Sequence, residues 1–297
     1  MSKEVDPSRS QTIRAEIAEL ERRLQDAKAR LNAQIISEQP TLAPPARVLM
    51  STGPFGSSPH HFLFLLADSA LPLGSFAFSS GLESYLAHSR PASSFPTFLK
   101  LSLSSYASTT LPFVLEAFRN PLDLVELDDT LDAAIICTVG RRASVAQGRA
   151  LLSIWDRSFS SSIPAGASQT AVDALRAFSV LLRSSSSASS DELPPVSAHL
   201  GPLFGVIARV VGISLQQTAY MFILSHVKAL LSAAVRASIF GPYHAQKVLA
   251  SNETQRGIWE VLHREWNTKI EDAGQSVPMM DLWVGRHEML YSRIFNS

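Results

Sequence analysis

Between Leu203 and Pro242 the chain spells out two consecutive helices together with their ends. Leu203–Val211 is almost wholly apolar and stops at Gly212, the residue type that most easily takes the left-handed turn after a helix. Ser214 and Gln217 then stand three apart, the spacing of a capping box, and open a second helix. That helix is predicted to run to about Phe240, where Gly241-Pro242 stops it. No charged side chain lies between Arg209 and Lys228. Helices apolar on nearly every side must be buried by other helices, so this pair demands a bundle around it. On the second helix Ser225, Ala229, Ala233 and Ala237 recur every four residues, a face small enough for close approach of a neighbour. Gln216, Gln217, Thr218 and His226 make the same stretch a poor membrane span.

The remaining patterns are helical as well. Apolar faces at helical spacing predict helices over Phe95–Ser108, Pro112–Arg119, Leu122–Trp155, Ala171–Leu182, Tyr243–Leu249, Thr254–Thr268 and Met279–Phe295. No period-two strand pattern appears. The expected fold is all-α, a single helical-bundle domain of roughly eight to ten helices over residues 60–297. Serine-rich loops interrupt it at 158–168 and 184–198, the second carrying the run SSSSASS. Ahead of it, residues 1–37 read as a helical arm. Ile13, Ile17, Leu20, Leu24, Ala27, Leu31 and Gln34 alternate in steps of four and three, a heptad seam within 9–36. It is either a solvated single helix or a coiled-coil arm that dimerises or binds a partner. Residues 38–59, rich in proline, glycine and serine, form a flexible linker.

Composition excludes several functions. The 26 basic and 26 acidic side chains cancel, which argues against a nucleic-acid binder. One cysteine, Cys137, rules out an intramolecular disulfide framework and fits a reducing compartment. The polar, charged start MSKEVDPSRS is no secretory signal. The expectation is a cytoplasmic protein with no membrane and no nucleic-acid partner.

The chain lacks the usual catalytic signatures. It has no GxSxG, no GxxxxGK[ST] and no GxGxxG. His287-Glu288 begins like HExxH, but Tyr291 stands where the second zinc ligand belongs. The other histidines are scattered, and Cys137 sits beside Ile135 and Ile136 as a buried mid-helix thiol would. The acids from Asp123 to Asp132 follow helical spacing and read as a solvated helix face. No catalytic, cofactor-binding or metal-binding residue is assigned. Two unusual segments remain. One is LADSALPLGSFAFSSGLE, residues 66–83: a helix, a Pro-Leu-Gly turn, and a small-residue stretch opening a new helix. It reads as a rigid elbow that presents Ser79 and a surface carboxylate, Glu83. The other is the end of the chain, where charged and aromatic residues run to the last positions. Tyr291, Arg293 and Phe295 suit docking better than the polar fraying usual at a terminus.

The first segment resembles the N-terminal signature of the urease accessory protein family UreF, roughly LxDSxLPxGGFxHSxGLE. Arg141-Arg142-Ala143-Ser144 with Gln147-Gly148-Arg149 is similar to its mid-chain helix. Leu231–Arg236 with Phe240-Gly241 and Gln246 is similar to a later helical region. Pro278, Asp281 and Arg286–Ser297 are similar to its C-terminus. These matches keep their order over about residues 62–297. Ser75 replaces the usual second glycine and Phe78 a frequent histidine, which removes a potential ligand.

The resemblance implies an all-α homodimer and a non-enzymatic chaperone for nickel urease. It implies a partner of the UreD (UreH) type, recruitment of the GTPase UreG with modulation of its GTP hydrolysis, and delivery to apo-urease. Nickel and GTP would reside on the GTPase. Arg236 and Gln246 would lie at the GTPase and dimer surface, Ser79 and Glu83 near a partner surface, and Arg286, His287, Glu288, Tyr291, Arg293 and Phe295 in a tail that binds the UreD-type protein. Arg236 has no acid within four residues to pair it, as suits an interface. A helical dimeric scaffold or regulator unrelated to metal is the alternative. A hydrolase using a serine and a distant histidine is a third reading, opposed by the missing nucleophile signature.

Overall fold

The computed structural model describes residues 19–28, 59–89, 94–185 and 195–296. The chain divides into two units, residues 1–54 and 55–297. In the first, α1 covers residues 19–28 and leaves Leu20 and Leu24 of the seam exposed. Ala27 of the seam is exposed as well; Ile13, Ile17, Leu31 and Gln34 of the seam and residues 38–58 of the linker lie outside the described residues.

The second unit contains only helices and turns among its described residues. They are α2 (Pro59–Ala67), α3 (Leu82–His88), α4 (Phe95–Arg119), α5 (Leu124–Ala134), α6 (Thr138–Ile154), α7 (Gln169–Ser185), α8 (Leu200–Val210), α9 (Leu215–Arg236), α10 (Pro242–Ala250), α11 (Asn252–Glu265) and α12 (Pro278–Arg286). Eleven helices thus stand where eight to ten were expected.

The apolar α8 and the long α9 form the centre, with α4 packed on both. Among the described residues α9 alone is long and apolar enough to cross a membrane, and most of it is buried in the bundle. The pair's boundaries follow the sequence closely. Gly212 takes φ +81°, its N–H reaches the Arg209 carbonyl at 3.1 Å, and Ile213 N–H reaches that of Ala208 at 3.0 Å. This is a complete left-handed helix cap. Both arms of the Ser214–Gln217 capping box form. Glycines set the close approach of α4 and α8. A Cβ on Gly205 would sit 2.2 Å from the Val114 carbonyl oxygen.

Four boundaries differ from the sequence reading, each for a physical reason. Phe95–Arg119 is one helix, with Pro112 buried inside it. The proline leaves the Ser108 carbonyl without its helical donor, and Gly274 N–H supplies one at 3.1 Å. Leu122–Trp155 is instead two helices after a 3₁₀ turn at Pro121–Asp123. The break falls on Ile135–Cys137, where Ile135 (ψ 98°) and Cys137 (ψ 113°) take extended backbone and the adjacent β-branched Ile135 and Ile136 weaken any helix through them. Cys137 is therefore half-buried at the start of α6 rather than buried mid-helix. Helix α9 ends at Arg236, because Ser238 takes φ 58° and Ile239 N–H reaches back to the Ala234 carbonyl. Helix α12 ends at Arg286, and the chain beyond the short turn at His287–Met289 is not helical.

The expectation of a solvated acidic face on α5 holds for Asp123, Glu126 and Asp129 but fails at Asp128. Asp128 is fully buried and accepts N–H groups from Ser197 (2.7 Å), Ala198 (3.0 Å) and His199 (2.6 Å). It thereby fixes the end of the second serine-rich loop, where Val196 and Ala198 are buried rather than solvated. The first such loop opens with turns of helix, wide at Trp155–Phe159 and tight at Ser160–Ser162.

Candidate functional site

The elbow and the chain's end meet. Gly74 (φ +73°) and Gly81 (φ +85°) take conformations that other residues resist, and Gly81 also lets the α12 backbone pass. A Cβ there would lie 3.1 Å from the Val284 nitrogen. The turn delivers Leu82 and Glu83 into the first turn of α3. Ser79 is fully buried, and its hydroxyl accepts the Glu83 N–H at 3.4 Å.

Glu83 is not a surface charge. Its side chain is 13% exposed and faces the C-terminal tail. Oε1 accepts Ile294 N–H at 2.7 Å, and Oε2 accepts Phe295 N–H at 3.2 Å. His287, fully buried, lies with Nε2 2.9 Å from Oε2. Its Nδ1 is the one buried side-chain nitrogen or oxygen without a partner among the described residues. Asn296 N–H adds a bond to the Ala77 carbonyl at 2.7 Å. The tail is strapped along the elbow by backbone groups, a contact that side-chain identity in the tail does not encode.

Two side-chain contacts complete the strap. Phe295 is 4% exposed and lies under the Arg236 guanidinium, 4.4 Å from ring centre to charge. This cation–π contact partners an arginine that the sequence leaves without an acid. Glu288 bridges Arg142 of α6 and Arg293 of the tail, the latter at 2.8 Å. Those two guanidiniums, Arg142 first, hold its carboxyl below the usual range. The opposite face of the tail is bare: Met289, Tyr291 and Ile294 are exposed, as is Phe76 next to the Ala77 anchor. Arg286 is exposed at the end of α12. Of the sequence-chosen residues, the structure thus joins Ser79, Glu83, Arg236, His287, Glu288, Arg293 and Phe295 in one network. Tyr291 stands on its outer face. Gln246 is exposed on α10, outside that network.

Comparison with known proteins bears on this arrangement. The UreF family model matches residues 90–253. The chain is 36% identical over 239 residues to a protein of Schizosaccharomyces pombe described as an uncharacterized urease accessory protein UreF-like. That match covers 80% of this chain and 97% of the relative. It is 33% identical over 244 residues to urease accessory protein F of Arabidopsis thaliana, covering 78% and 90%. It is 31% identical over 234 residues to urease accessory protein UreF of Paenarthrobacter aurescens, covering 78% and 95%. The chain belongs to the UreF family. These relatives are named as accessory proteins rather than as enzymes.

One feature of this UreF-family chain looks like catalytic machinery. His199, fully buried, places Nδ1 3.0 Å from Ser144 Oγ and Nε2 2.8 Å from Asp132 Oδ1. Ser144, however, sits inside α6, where the neighbouring amides are spent on the helix and form no oxyanion hole. Its oxygen also takes the Leu200 N–H at 3.4 Å. Arg141 grips both Asp132 oxygens at 2.6 Å. Burial raises the Asp132 carboxyl, but Arg141, His199 and Ser197 outweigh it and bring it down to about 2. The chain of contacts ties α5, α6 and α8 together. Sequence reading missed Asp128, Asp132, Ser144 and His199 because their spacing along the chain carries no recognisable pattern. No group of three or more His, Cys, Asp or Glu in metal-holding positions occurs among the described residues.

Proposed function

We propose that this urease accessory protein works as a non-enzymatic chaperone of nickel insertion. In this reading a UreD/UreH-type protein docks on the strapped tail, and the pair recruits a UreG-type GTPase and meets apo-urease in the cytoplasm. Nickel and GTP belong to the GTPase, whose hydrolysis the complex modulates. The protein acts as a homodimer, with Arg236 and Gln246 at the GTPase and dimer surface, and α1 belongs to an arm that pairs as a coiled coil. The observation that carries the reading is the tail itself. Backbone bonds to Glu83 and the burial of Phe295 hold it in place, while Met289, Tyr291 and Ile294 are exposed among the described residues. Exposed apolar side chains on a held segment, rimmed by charges such as Arg286 and Arg293, form the core and rim of a protein interface. The test is co-purification of the full chain with its UreD and UreG counterparts, with and without nickel and GTP. Removal of residues 286–297 should abolish the complex while helicity by circular dichroism stays largely intact. Normal recovery of the complex with the truncated chain would refute the docking site.

A further inference from the structure

A cavity of about 470 Å³ lies between α4, α6, α9 and α12. Its size falls among small-molecule sites, which span roughly 300–1,000 Å³. Exposed Ala134, Ile136 and Gly274 stand at its mouth, where the α5–α6 break meets the loop before α12. Leu66, Phe204, Phe222 and Met280 give it apolar walls. Four hydroxyls converge on it, those of Ser80, Ser105, Tyr106 and Ser225, and none bonds to another described residue. Tyr106 packs against two rings of α9, stacked on Phe222 at 5.2 Å and on His226 at 4.0 Å.

The walls carry almost no charge. Neither lysine nor arginine lines the cavity among the described residues. Ser102 Oγ and His226 Nε2 lie 2.9 Å apart, and burial pushes the imidazole down to about 3, so it is neutral. The single carboxylate, Asp281, accepts from the Gln275 amide at 3.0 Å. An anion entering would lose its hydration with no cationic side chain to offset its charge, and a cation would meet only Asp281, whose carboxylate is already engaged by Gln275. Hydroxyls, in contrast, rotate to donate or accept at equal cost. We propose that this cavity binds a small neutral molecule carrying both hydrogen-bond donors and acceptors beside an apolar part, of the amide or diol class. The assignment is independent of the accessory-protein reading.

The experiment is saturation-transfer NMR on the full chain. The neutral probes are acetamide and propane-1,2-diol. Their charged counterparts of similar shape are acetate and lactate, with ethylammonium as the cation. Transfer to the neutral probes should exceed that to the charged ones at least fivefold. Ala229→Leu fills the cavity from α9 and should abolish the signal. Tyr106→Phe keeps the ring but deletes one hydroxyl, and should weaken the affinity about threefold to tenfold, the scale of one hydrogen bond. No transfer from either neutral probe, or equal transfer from the charged set, overturns the proposal. So does a signal that survives Ala229→Leu in a folded variant. Should that variant not fold, an unchanged affinity in Tyr106→Phe overturns it alone.

Discussion

Two carboxylates in this molecule do the same local job with different consequences. Asp128 on α5 and Glu83 on α3 each accept N–H groups from an extended segment, residues 197–199 in one case and 294–295 in the other. Each clamp adjoins a fully buried histidine. At the first, His199 finds partners for both ring nitrogens, and Val196 and Ala198 of the clamped segment are buried. At the second, His287 leaves Nδ1 unmatched, and the clamped segment turns Tyr291 and Ile294 to solvent. A fully satisfied network inside a core rigidifies it. A clamp with an orphaned buried nitrogen forfeits about 1–3 kcal/mol and holds a segment whose far side is free. The first clamp lies inside the core, and the second holds a tail whose outer face is exposed.

The largest effect should come from Asp128→Ala. It orphans three buried N–H groups at once, each costly to leave unmatched. Chemical denaturation should show a loss of about 3 kcal/mol or more. A loss below about 1 kcal/mol would break the distinction between the two clamps.

Glu83→Ala should cost less overall, about 1–3 kcal/mol, because the tail it frees can be solvated. Its signature is local. Amide hydrogen exchange at Ile294 and Phe295 should accelerate strongly, while the amides of α8 and α9 change only with global stability. Uniform acceleration across the core would mean that the tail is an integral part of the fold.

The comparison also shows what the sequence made legible. The α8–α9 pair was readable down to its caps, since Gly212 and the Ser214–Gln217 box act through neighbours in the chain. The break at Ile135–Cys137 and the continuity through Pro112 were not. The first turns on β-branched crowding, and the second on a donor, Gly274, far along the chain. Likewise the tail residues stood out by type, but their orientation did not. Phe295 turns inward while Tyr291 faces outward, with the tail held by Glu83 at the Ile294 and Phe295 amides, a contact made by backbone rather than by side-chain type. Asp128 looked like one more charge on a solvated face, since nothing local announces the three amides it meets.

A smaller effect tests the inner clamp through pH. The Asp132 carboxyl ordinarily titrates near 3.8 and is held down at about 2 in the fold. A lowered acid contributes stability above its unfolded value and loses it as pH falls through the folded one. Stability of the parent should therefore exceed that of Asp132→Asn by about 2 kcal/mol near neutrality, from this titration alone. The gap should close as pH falls from about 4 toward 2. Buried His226, lowered to about 3, instead erodes stability in both proteins as pH falls below about 6.5, and so cancels in the difference. A gap that is constant with pH would remove Asp132 ionisation from the account of the inner clamp.

The smallest stability effect with the largest functional one belongs to Tyr291→Ala. Tyr291 is fully exposed on the outer face of the tail, while the contacts that hold the tail run through Glu83, Phe295 and Arg236. Removing an exposed ring that touches none of these should change folding stability by no more than about 0.5 kcal/mol. An aromatic side chain that becomes buried against a partner, however, is the type that dominates binding energy, at about 2 kcal/mol or more on truncation. Recovery of the UreD-type partner at limiting concentration should then fall at least tenfold, with exchange at Ile294 and Phe295 unchanged. Arg236→Ala supplies the converse. It uncovers Phe295 and costs about 0.5–1 kcal/mol for the lost cation–π contact, so it should loosen the tail and weaken binding together. If Tyr291→Ala binds normally while Arg236→Ala does not, the docking surface lies on the arginine's side of the strap rather than on the tail's outer face.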